Sequence, residues 1–439
     1  MPTVILGGGI IGASIAYYLS QSQPGDPIHI VEPAPQLFSA ASGYAAGFLA
    51  KDWFAPALAP LGAYSFNLHR SLAAEHRGAE QWGYMSGTAL NLATEASKKT
   101  GTRGDDWLRD GTSRAETAAG VTHTAAVLAD SDSPAWLTKQ QGAELEQISD
   151  PDTVAVVDPL RLATFLLRAA QSRGVTLHHP AQATTLVTDP ANGNTLTGVT
   201  LVDLRTNTAS TLPCTNLIIA AGPWTPTVFH DLFPAARATV NMTPLAGYSL
   251  VLRSPRHTRH HERSHHNRSH AVFTTHPPEC GFSPEIFSRH GAEIYIAGLN
   301  PDLQLPARAE DTAALFDHRD MRRLKEVTVR LLGRLAPGQT ESTDTVRNVD
   351  DLEIVREGLC FRPAMARGVP VVARVDDAVL GGVRTASGGG VFLAAGHGPW
   401  GISLSVGTGR VVADMVRGLT PAVDVSGLGV EVRRRGSKL

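Results

Sequence analysis

Three glycines near the start of the chain, Gly7, Gly9 and Gly12, have the G-x-G-x-x-G spacing of a loop that holds a dinucleotide pyrophosphate. The first glycine makes the tight turn, the second lets the backbone approach the phosphates, and the third lets the next helix pack on the strand. The apolar run TVIL precedes them, and apolar residues at helical spacing follow from Ile10 to Leu19. A second apolar run, IHIVE, ends in Glu32, whose carboxylate can accept hydrogen bonds from ribose hydroxyls. This order predicts a dinucleotide site.

A second glycine-rich turn lies near the other end of the chain, in the stretch VFLAAGHGPWG. Gly396, Gly398 and Gly401 stand between an apolar strand and a helical segment. Glycines there allow a cofactor to approach the backbone closely, and the helix N-terminus would stabilise negative charge on it. We therefore expect both ends of the chain to fold into one domain, with the central part inserted.

Composition narrows the class of protein. A chain of 439 residues is long enough for two or three domains. The net charge of -2 gives no electrostatic case for nucleic acid, and no apolar run approaches the ~20 residues that span a bilayer. The first strand begins at once, so no secretory leader is expected. Cys214, Cys280 and Cys360 are widely spaced and odd in number, which predicts a reducing compartment and no disulfide framework.

Five segments, in order, resemble the D-amino acid oxidase superfamily of FAD-dependent oxidoreductases, whose members include glycine oxidase and sarcosine oxidase. They are SAASGYAAGFLA (39–50), VVDPLRLATFLLRAAQSRGVTLHH (156–179), TNLIIAAGPWTP (215–226), FRPAMARGVPVV (361–372) and VFLAAGHGPWGISLSVGTGRVVADMV (391–416). The resemblance implies an α/β fold: a discontinuous Rossmann-like FAD-binding domain with an inserted α+β substrate domain built on an antiparallel sheet.

The domain boundaries follow from these segments. The FAD-binding domain is expected over 1–50, 151–230 and 355–439, and the substrate domain over 51–150 and 231–354. Within the substrate domain, residues 51–150 are expected to begin with one long helix. Alternating residues predict strands at 243–252 and 292–299, and helical periodicity predicts a helix at 312–335.

Two polar segments of the substrate domain are predicted to be surface loops. Residues 95–135 are rich in Gly, Thr and Asp, and residues 256–270 crowd six histidines among arginines. Histidine-rich tracts can bind metal, but Glu262 is the one carboxylate in this tract and it has no cysteine. We therefore predict an exposed basic loop at 256–270 and no metal site.

The resemblance also implies which residues hold FAD, and that they do so without a covalent bond. These are Gly7, Gly9, Ile10, Ile11, Gly12, Glu32, Ser39, Ser42, Gly43, Ala183, Ala221, Gly222, Trp224, Arg362, Gly396, His397, Gly398, Trp400, Gly401 and Ile402. Cys360 falls where covalent members attach flavin through sulfur. A covalent link is disfavoured, because a buried cysteine is more often a packing residue.

Three side chains are predicted to act on the substrate or the flavin. Arg362 aligns with the arginine that holds the substrate carboxylate in glycine-oxidase-like enzymes, and its fixed bidentate donors suit that task. The alternative is an ion pair with Glu357. Tyr248 is predicted to face the substrate, with a half-buried sheet tyrosine as the alternative. His397 is predicted to lie near the flavin ring and tune it, because histidine titrates near neutral pH, or else to be a turn residue.

The implied function is an FAD-dependent oxidase of a primary or secondary amine or amino acid. Hydride would pass to flavin N5, O2 would be reduced to H2O2, and the imine would hydrolyse. Two alternatives stay open: a dehydrogenase with another electron acceptor, and a flavin-binding but inactive interaction or trafficking factor. Trp400 and Gly401 stand where sarcosine oxidases carry an oxygen-activating lysine, which favours the dehydrogenase. Arg367 also replaces the acidic residue that usually precedes the glycine of the arginine segment.

The sequence ends in RRRGSKL (433–439), and its last three residues spell a peroxisomal import signal. The predicted partners are therefore an import receptor, a small amine or amino acid, and O2. The predicted location is the peroxisomal matrix, with the cytosol as the alternative. An oxidase that releases peroxide suits that organelle.

Overall fold

The computed structural model of the protein describes residues 1–94, 126–127, 133–264, 267–274, 281–343 and 347–433. The strands are β1 Thr3–Leu6, β2 Ile28–Val31, β3 Phe48–Ala50, β4 Met85–Thr94, β5 Ala126–Val127, β6 Ala143–Gln147, β7 Val154–Val156, β8 Thr176–His178, β9 Ala181–Asp189, β10 Thr195–Asp203, β11 Thr208–Pro213, β12 Asn216–Ile219, β13 Ala238–Thr239, β14 Met242–Arg253, β15 Ser269–Thr274, β16 Glu285–Arg289, β17 Glu293–Ala297, β18 Glu353–Met365, β19 Val371–Val375, β20 Gly390–Ala395 and β21 Glu431–Val432. The helices are α1 Ile10–Ser22, α2 Ala41–Tyr44, α3 Ala59–Glu75, α4 Gly78–Trp82, α5 Pro159–Gln171, α6 Thr225–Leu232, α7 Arg259–Ser264, α8 His318–Leu332 and α9 Gly401–Val416.

A six-stranded sheet in the order β19-β20-β12-β1-β2-β8 forms the predicted nucleotide domain. Strand β1 pairs in parallel with β2 and β12, and β12 pairs in parallel with β20, so strands from both ends of the sequence lie side by side. The apolar strands β1 and β20 are buried along their whole length. The carboxyl ends of β1, β12 and β20 therefore open at one edge, where ligands of such sheets bind.

Helix α3 corrects one predicted domain boundary. The sequence predicts that residues 51–150 belong to the substrate domain, but α3 packs against α9 of the nucleotide domain. Ser65 donates a hydrogen bond of 2.6 Å to the carbonyl of Ser403, and His69 Nε2 lies 3.0 Å from the carbonyl oxygen of Ile402. A buried polar side chain that finds its partner on another helix fixes the two helices together. The predicted long helix is thus present but belongs to the other domain.

His69 gives the α3–α9 contact a pH dependence. Its burial lowers its pKa from 6.5 to about 4. The unfolded chain therefore binds more protons than the folded chain between these two pH values. The contribution of neutral His69 to the free energy of unfolding is fully present above pH 6.5 and is lost as the pH falls towards 4. The difference corresponds to about 3 kcal/mol. We expect His69→Gln to flatten the pH dependence of the unfolding midpoint across this window, whereas the exposed His230→Gln should leave it unchanged.

The second sheet follows the order β18-β14-β17-β16-β15-β4-β6-β5. The predicted strands at 243–252 and 292–299 correspond to β14 and β17, which pair antiparallel. The sheet is not purely antiparallel, because β15 and β4 run parallel. Strand β18 pairs with β14 along its length, so residues 355–365 belong to this substrate sheet and not to the FAD-binding domain as predicted.

Helix α8 covers the outer face of the substrate sheet. Its apolar residues, among them Leu324 and Leu331, share one buried cluster with Leu250 of β14 and Ile296 of β17. The helix begins six residues later than predicted, because a 3₁₀ turn at Ala309–Leu315 precedes it and the Asp317 side chain caps it by accepting from the amide of Arg319.

The two predicted loops differ from the expectation where the structure describes them. Most of the range 95–135 lies outside the described residues. Within it, strand β5 is described, and it pairs with β6. Helix α7 lies inside the histidine tract, and Glu262 on it is buried rather than exposed, accepting a 2.6 Å hydrogen bond from the amide of Ala292. Among the described residues we find no group of His, Cys, Asp and Glu able to hold a metal, and no helix long and apolar enough to cross a membrane.

Candidate active site

One cavity of about 490 Å³ lies between the carboxyl ends of the parallel strands and the inner face of the substrate sheet. This volume is within the range of small-molecule and cofactor sites. Every residue predicted to contact FAD lines it except Gly12, Gly43 and Trp400. The cavity thus brings together residues from four distant parts of the sequence.

The three exceptions pack closely against neighbouring parts of the protein. A Cβ on Gly12 would lie 2.0 Å from the carbonyl oxygen of Gly7, so this glycine allows the first turn of α1 to pack on the loop. A Cβ on Gly43 would lie 2.2 Å from the carbonyl oxygen of Phe38, and the Gly43 carbonyl accepts from Arg356. The Trp400 ring packs edge-on against Phe54, with ring centres 4.8 Å apart. FAD contacts at these three positions stay predictions.

The first end of the cavity is formed by the loop after β1. Gly7 has φ +112°, and a Cβ there would lie 2.4 Å from the carbonyl oxygen of Ala220, so only glycine fits. Helix α1 begins at Ile10 with no side-chain cap from Gly9, and the Ile10 amide donates to Ser42 Oγ at 3.0 Å. Uncapped amides at a helix N-terminus that faces a cavity attract an anionic ligand.

Glu32 is fixed next to this loop. Its Oε2 accepts a 2.7 Å hydrogen bond from the amide of Gly8, and its Oε1 accepts one of 2.9 Å from the amide of Ala34. Burial raises the pKa of Glu32, while the two amide hydrogen bonds oppose that shift. The carboxylate is thus held at the end of β2, at the cavity wall, where a ribose hydroxyl could reach it.

The other end of the cavity is formed by the turn after β20. Gly396 has φ +81°, and helix α9 begins at Gly401 without a side-chain cap from Trp400. Two helix N-termini and two glycine turns therefore face one cavity, and the Glu32 carboxylate lies near the first of these helices. These features fit FAD: the loop after β1 would hold the pyrophosphate, Glu32 the ribose, and the turn after β20 the isoalloxazine ring.

His397 lies in that turn and lines the cavity, but it does not titrate near neutral pH as predicted. Its Nε2 lies 3.0 Å from Thr408 Oγ1 within α9. Complete burial lowers its pKa to about 3. The low pKa favours a neutral imidazole at physiological pH, and the contact with Thr408 joins the turn to the helix, as expected for a turn residue.

The inner face of the substrate sheet forms the remaining wall. Arg362 on β18 lies opposite Leu245 of β14, and its guanidinium covers Gly247, where a Cβ would come within 2.5 Å of Nη2. Arg362 Nη1 donates a 2.6 Å hydrogen bond to Asn300 Oδ1. The remaining guanidinium donors are in the cavity wall, where they could bind a carboxylate. The alternative partner, Glu357, is paired with Lys325 instead.

Tyr248 corrects the prediction for the substrate wall. It is fully buried on the outer face of the sheet, where its hydroxyl accepts a 2.7 Å hydrogen bond from the amide of Asp317. Successive strand residues point to opposite faces, so Gly247 and Ser249 lie on the inner face of the sheet, the face that carries Arg362, and Tyr248 lies on the outer face. The tyrosine in the cavity wall is Tyr295 of β17, which we did not single out. In the sequence, Tyr295 alternates with the apolar Ile294 and Ile296, a pattern that predicts that Tyr295 faces the side of the sheet opposite to these two residues.

Two more residues of this wall are ionisable. Glu285 on β16 lies opposite Ala297 of β17, is buried, and lines the cavity. Cys360 also lines the cavity, and burial raises the pKa of its thiol. A raised pKa disfavours the thiolate, which agrees with the prediction of non-covalent FAD.

Arg289 connects this sheet to the loop that follows β2. Its guanidinium donates to the carbonyl oxygens of Ala45 and Ala46 and lies over the Tyr295 ring, 4.7 Å from its centre. Burial lowers the pKa of Arg289. Ala45 and Ala46 line the cavity, so this arginine fixes two of its walls relative to each other.

Comparisons with known proteins agree with this architecture. Residues 3–415 match the family model described as DAO, FAD dependent oxidoreductase. A putative oxidoreductase of Schizosaccharomyces pombe, C1F5.03c, is 24% identical over 430 residues, which cover 94% of this chain and 93% of that protein. Glycine oxidase from Geobacillus kaustophilus has a similar fold, with a TM-score of 0.69 and 22% identity over 99% of each chain.

The fold is shared with dehydrogenases as well as oxidases. L-proline dehydrogenase from P. horikoshii superposes with a TM-score of 0.68 and 12% identity, covering 98% of this chain and 97% of that one. Identities this low establish the fold alone. Together with the match along nearly the whole sequence, the cavity geometry leads to one conclusion: the chain belongs to the DAO family of FAD-dependent oxidoreductases.

Proposed function

We propose that the protein is an FAD-dependent oxidase of a carboxylate-bearing primary or secondary amine, an amino acid in the broad sense. The observation that carries the proposal is Arg362, whose guanidinium lies in the wall of the FAD cavity and is oriented by Asn300. Bound FAD would supply the hydride acceptor, with O2 as the final oxidant giving peroxide.

The residues around Arg362 suit the binding of such a substrate. The guanidinium would hold the carboxylate through paired, charge-assisted hydrogen bonds. Ala297 and the ring of Tyr295 give part of the neighbouring wall an apolar surface, and burial there favours the neutral form of the amine. A neutral amine is required because its nitrogen lone pair assists the loss of hydride from the adjacent carbon.

An oxygen electrode tests the oxidase directly. Purified protein with FAD, given a panel of N-methyl, cyclic, D- and L-amino acids, should consume O2 and release peroxide in proportion to substrate loss. Substrate loss with an artificial acceptor but without O2 consumption would instead establish the dehydrogenase. The dehydrogenase is favoured by the sequence resemblance, in which Trp400 and Gly401 stand where sarcosine oxidases carry an oxygen-activating lysine.

Gly247 offers a precise test of the Arg362 site. In Gly247→Ala, the new methyl group would lie 2.5 Å from Arg362 Nη2, so the guanidinium must shift. Losing one charge-assisted hydrogen bond should raise the KM of the substrate about tenfold. The FAD content should not change, because Gly247 does not line the cavity itself. An unchanged KM would mean that the position of the guanidinium does not matter to binding.

We also propose a peroxisomal location, supported by the terminal residues Ser437, Lys438 and Leu439, which lie outside the described residues. A peroxide-producing oxidase suits this compartment. Deleting these three residues should move the fluorescently tagged protein to the cytosol and leave the activity of the purified protein unchanged. A truncated protein that still enters peroxisomes would refute the signal.

A further inference from the structure

The connection between β17 and α8, residues 300–317, crosses from the substrate sheet to the nucleotide domain; we call it the strap. Residues 301–307 of the strap donate no backbone hydrogen bond to any residue that the structure describes. Leu303 and Leu305 pack against the edge of the substrate-domain core. The path of the strap is therefore determined mainly by side-chain contacts, at three points.

The first and last of these points join the strap to the substrate sheet. Asn300 Oδ1 accepts the 2.6 Å hydrogen bond from Arg362, and the amide of Asp317 donates the 2.7 Å hydrogen bond to the Tyr248 hydroxyl. Tyr248 is fully buried, so the second contact is rigid. The two ends of the strap are thereby fixed on opposite faces of one sheet.

The middle point joins the strap to the other domain. The indole Nε1 of Trp224 donates a 2.8 Å hydrogen bond to the carbonyl oxygen of Pro306. Trp224 follows β12, whose carboxyl end opens into the FAD cavity, and its side chain lines that cavity. This contact joins the strap to a residue of the cavity wall.

The four residues that follow Pro306 line the FAD cavity from the substrate-domain side: Ala307, Arg308, Ala309 and Glu310. The cavity wall at the nucleotide end includes Glu32 and Asp231. Glu310 lines the same cavity as Glu32, and its charge adds to the raised pKa of Glu32, whose main cause is burial. Arg308 lies 3.7 Å from Glu310 and is the cation in this part of the strap.

We propose that residues 307–310 form a third wall of the FAD site, supplied by the substrate domain, and that the Trp224–Pro306 hydrogen bond latches this wall over the bound cofactor. The glycine loops of the nucleotide domain leave one side of an elongated cofactor open, and the strap covers that side. Arg308 brings positive charge towards a ligand whose pyrophosphate carries two negative charges. Retention of FAD then depends on the substrate domain as well as on the nucleotide domain.

This proposal depends only on FAD binding and not on the oxidation of an amine. It would therefore stand even if no amine reduced the flavin, and it could fail while the oxidase activity proved correct. Its tests use the affinity and the dissociation rate of FAD, and the exchange of backbone amides.

Hydrogen–deuterium exchange compares the FAD-loaded protein with the same protein after removal of FAD. FAD should slow exchange in peptides that cover 303–313, in addition to those that contain the glycine loops. Trp224→Phe keeps an aromatic ring but removes the N–H donor. It should speed the dissociation of FAD about fivefold, the effect of one buried hydrogen bond, and raise exchange in the strap of the loaded protein.

Two matched arginine variants distinguish an effect of the strap on FAD binding from an effect of general surface charge. Arg308 and Arg319 are both exposed and each lies near an acidic side chain, but only Arg308 lines the cavity. Arg308→Gln should raise the FAD dissociation constant about threefold and weaken its salt dependence, whereas Arg319→Gln should change neither. Equal strap exchange with and without FAD would overturn the third wall. Strap protection together with an unchanged FAD dissociation rate in Trp224→Phe would overturn the latch.

Discussion

Replacing Arg362 by alanine should raise the KM of a carboxylate-bearing substrate about a hundredfold. Hydrogen bonds to a charged group each contribute about 1.5–3 kcal/mol, and the guanidinium can present two to one carboxylate. Asn300 orients the side chain for this contact. Steady-state kinetics on the substrate that gives the fastest turnover would measure the change, at an FAD content verified by absorbance.

Two further variants make this result specific. Arg362→Lys keeps the charge but loses the fork of donors, so it should recover only part of the affinity. Arg253→Ala removes an exposed arginine that pairs with Glu353 on the same sheet, outside the cavity, and should leave KM unchanged. A KM that survives the loss of Arg362 would place the substrate carboxylate elsewhere.

Replacing Glu32 by alanine should lower the affinity for FAD about a hundredfold and give largely colourless protein. The substitution removes the acceptor for ribose hydroxyls and also releases the amides of Gly8 and Ala34, which shape the loop after β1. Fluorescence titration of the flavin-free protein with FAD would measure the dissociation constant.

The conservative variant and a surface control complete this prediction. Glu32→Gln keeps one oxygen acceptor and should fall between the wild type and Glu32→Ala. Glu80→Ala removes an exposed carboxylate on α4 and should bind FAD normally. Normal FAD affinity in Glu32→Ala would mean that this carboxylate does not face the ribose.

The nucleotide half could be predicted from the sequence because its signals are local. Gly7 and Glu32 are separated by one helix and one strand, so their spacing nearly fixes their relation in space. The same holds for the turn at Gly396, which lies between β20 and α9. Only a few residue types suit a positive φ or the start of a helix at a ligand site, so the sequence reveals these positions.

The substrate half was harder because its relations are between distant segments. Alternation in β14 shows that Gly247 and Tyr248 face opposite ways, but not which of the two faces the cavity. That choice depends on α8, which covers the outer face of the sheet and shares a buried apolar cluster with Tyr248. Likewise, the sequence of α3 does not indicate on which domain the helix packs, whereas the structure shows Ser65 and His69 bonded to residues of α9.

Anaerobic reduction of the bound flavin is the most direct test of the central claim, that this cavity oxidises an amine held by Arg362. The purified FAD-loaded protein is mixed without oxygen with each member of an amine and amino acid panel, and the visible absorbance of oxidised flavin is followed. We predict that at least one carboxylate-bearing amine bleaches the flavin in the wild type and does so only at far higher concentration in Arg362→Ala. A flavin that dithionite reduces but no amine bleaches would contradict the claim.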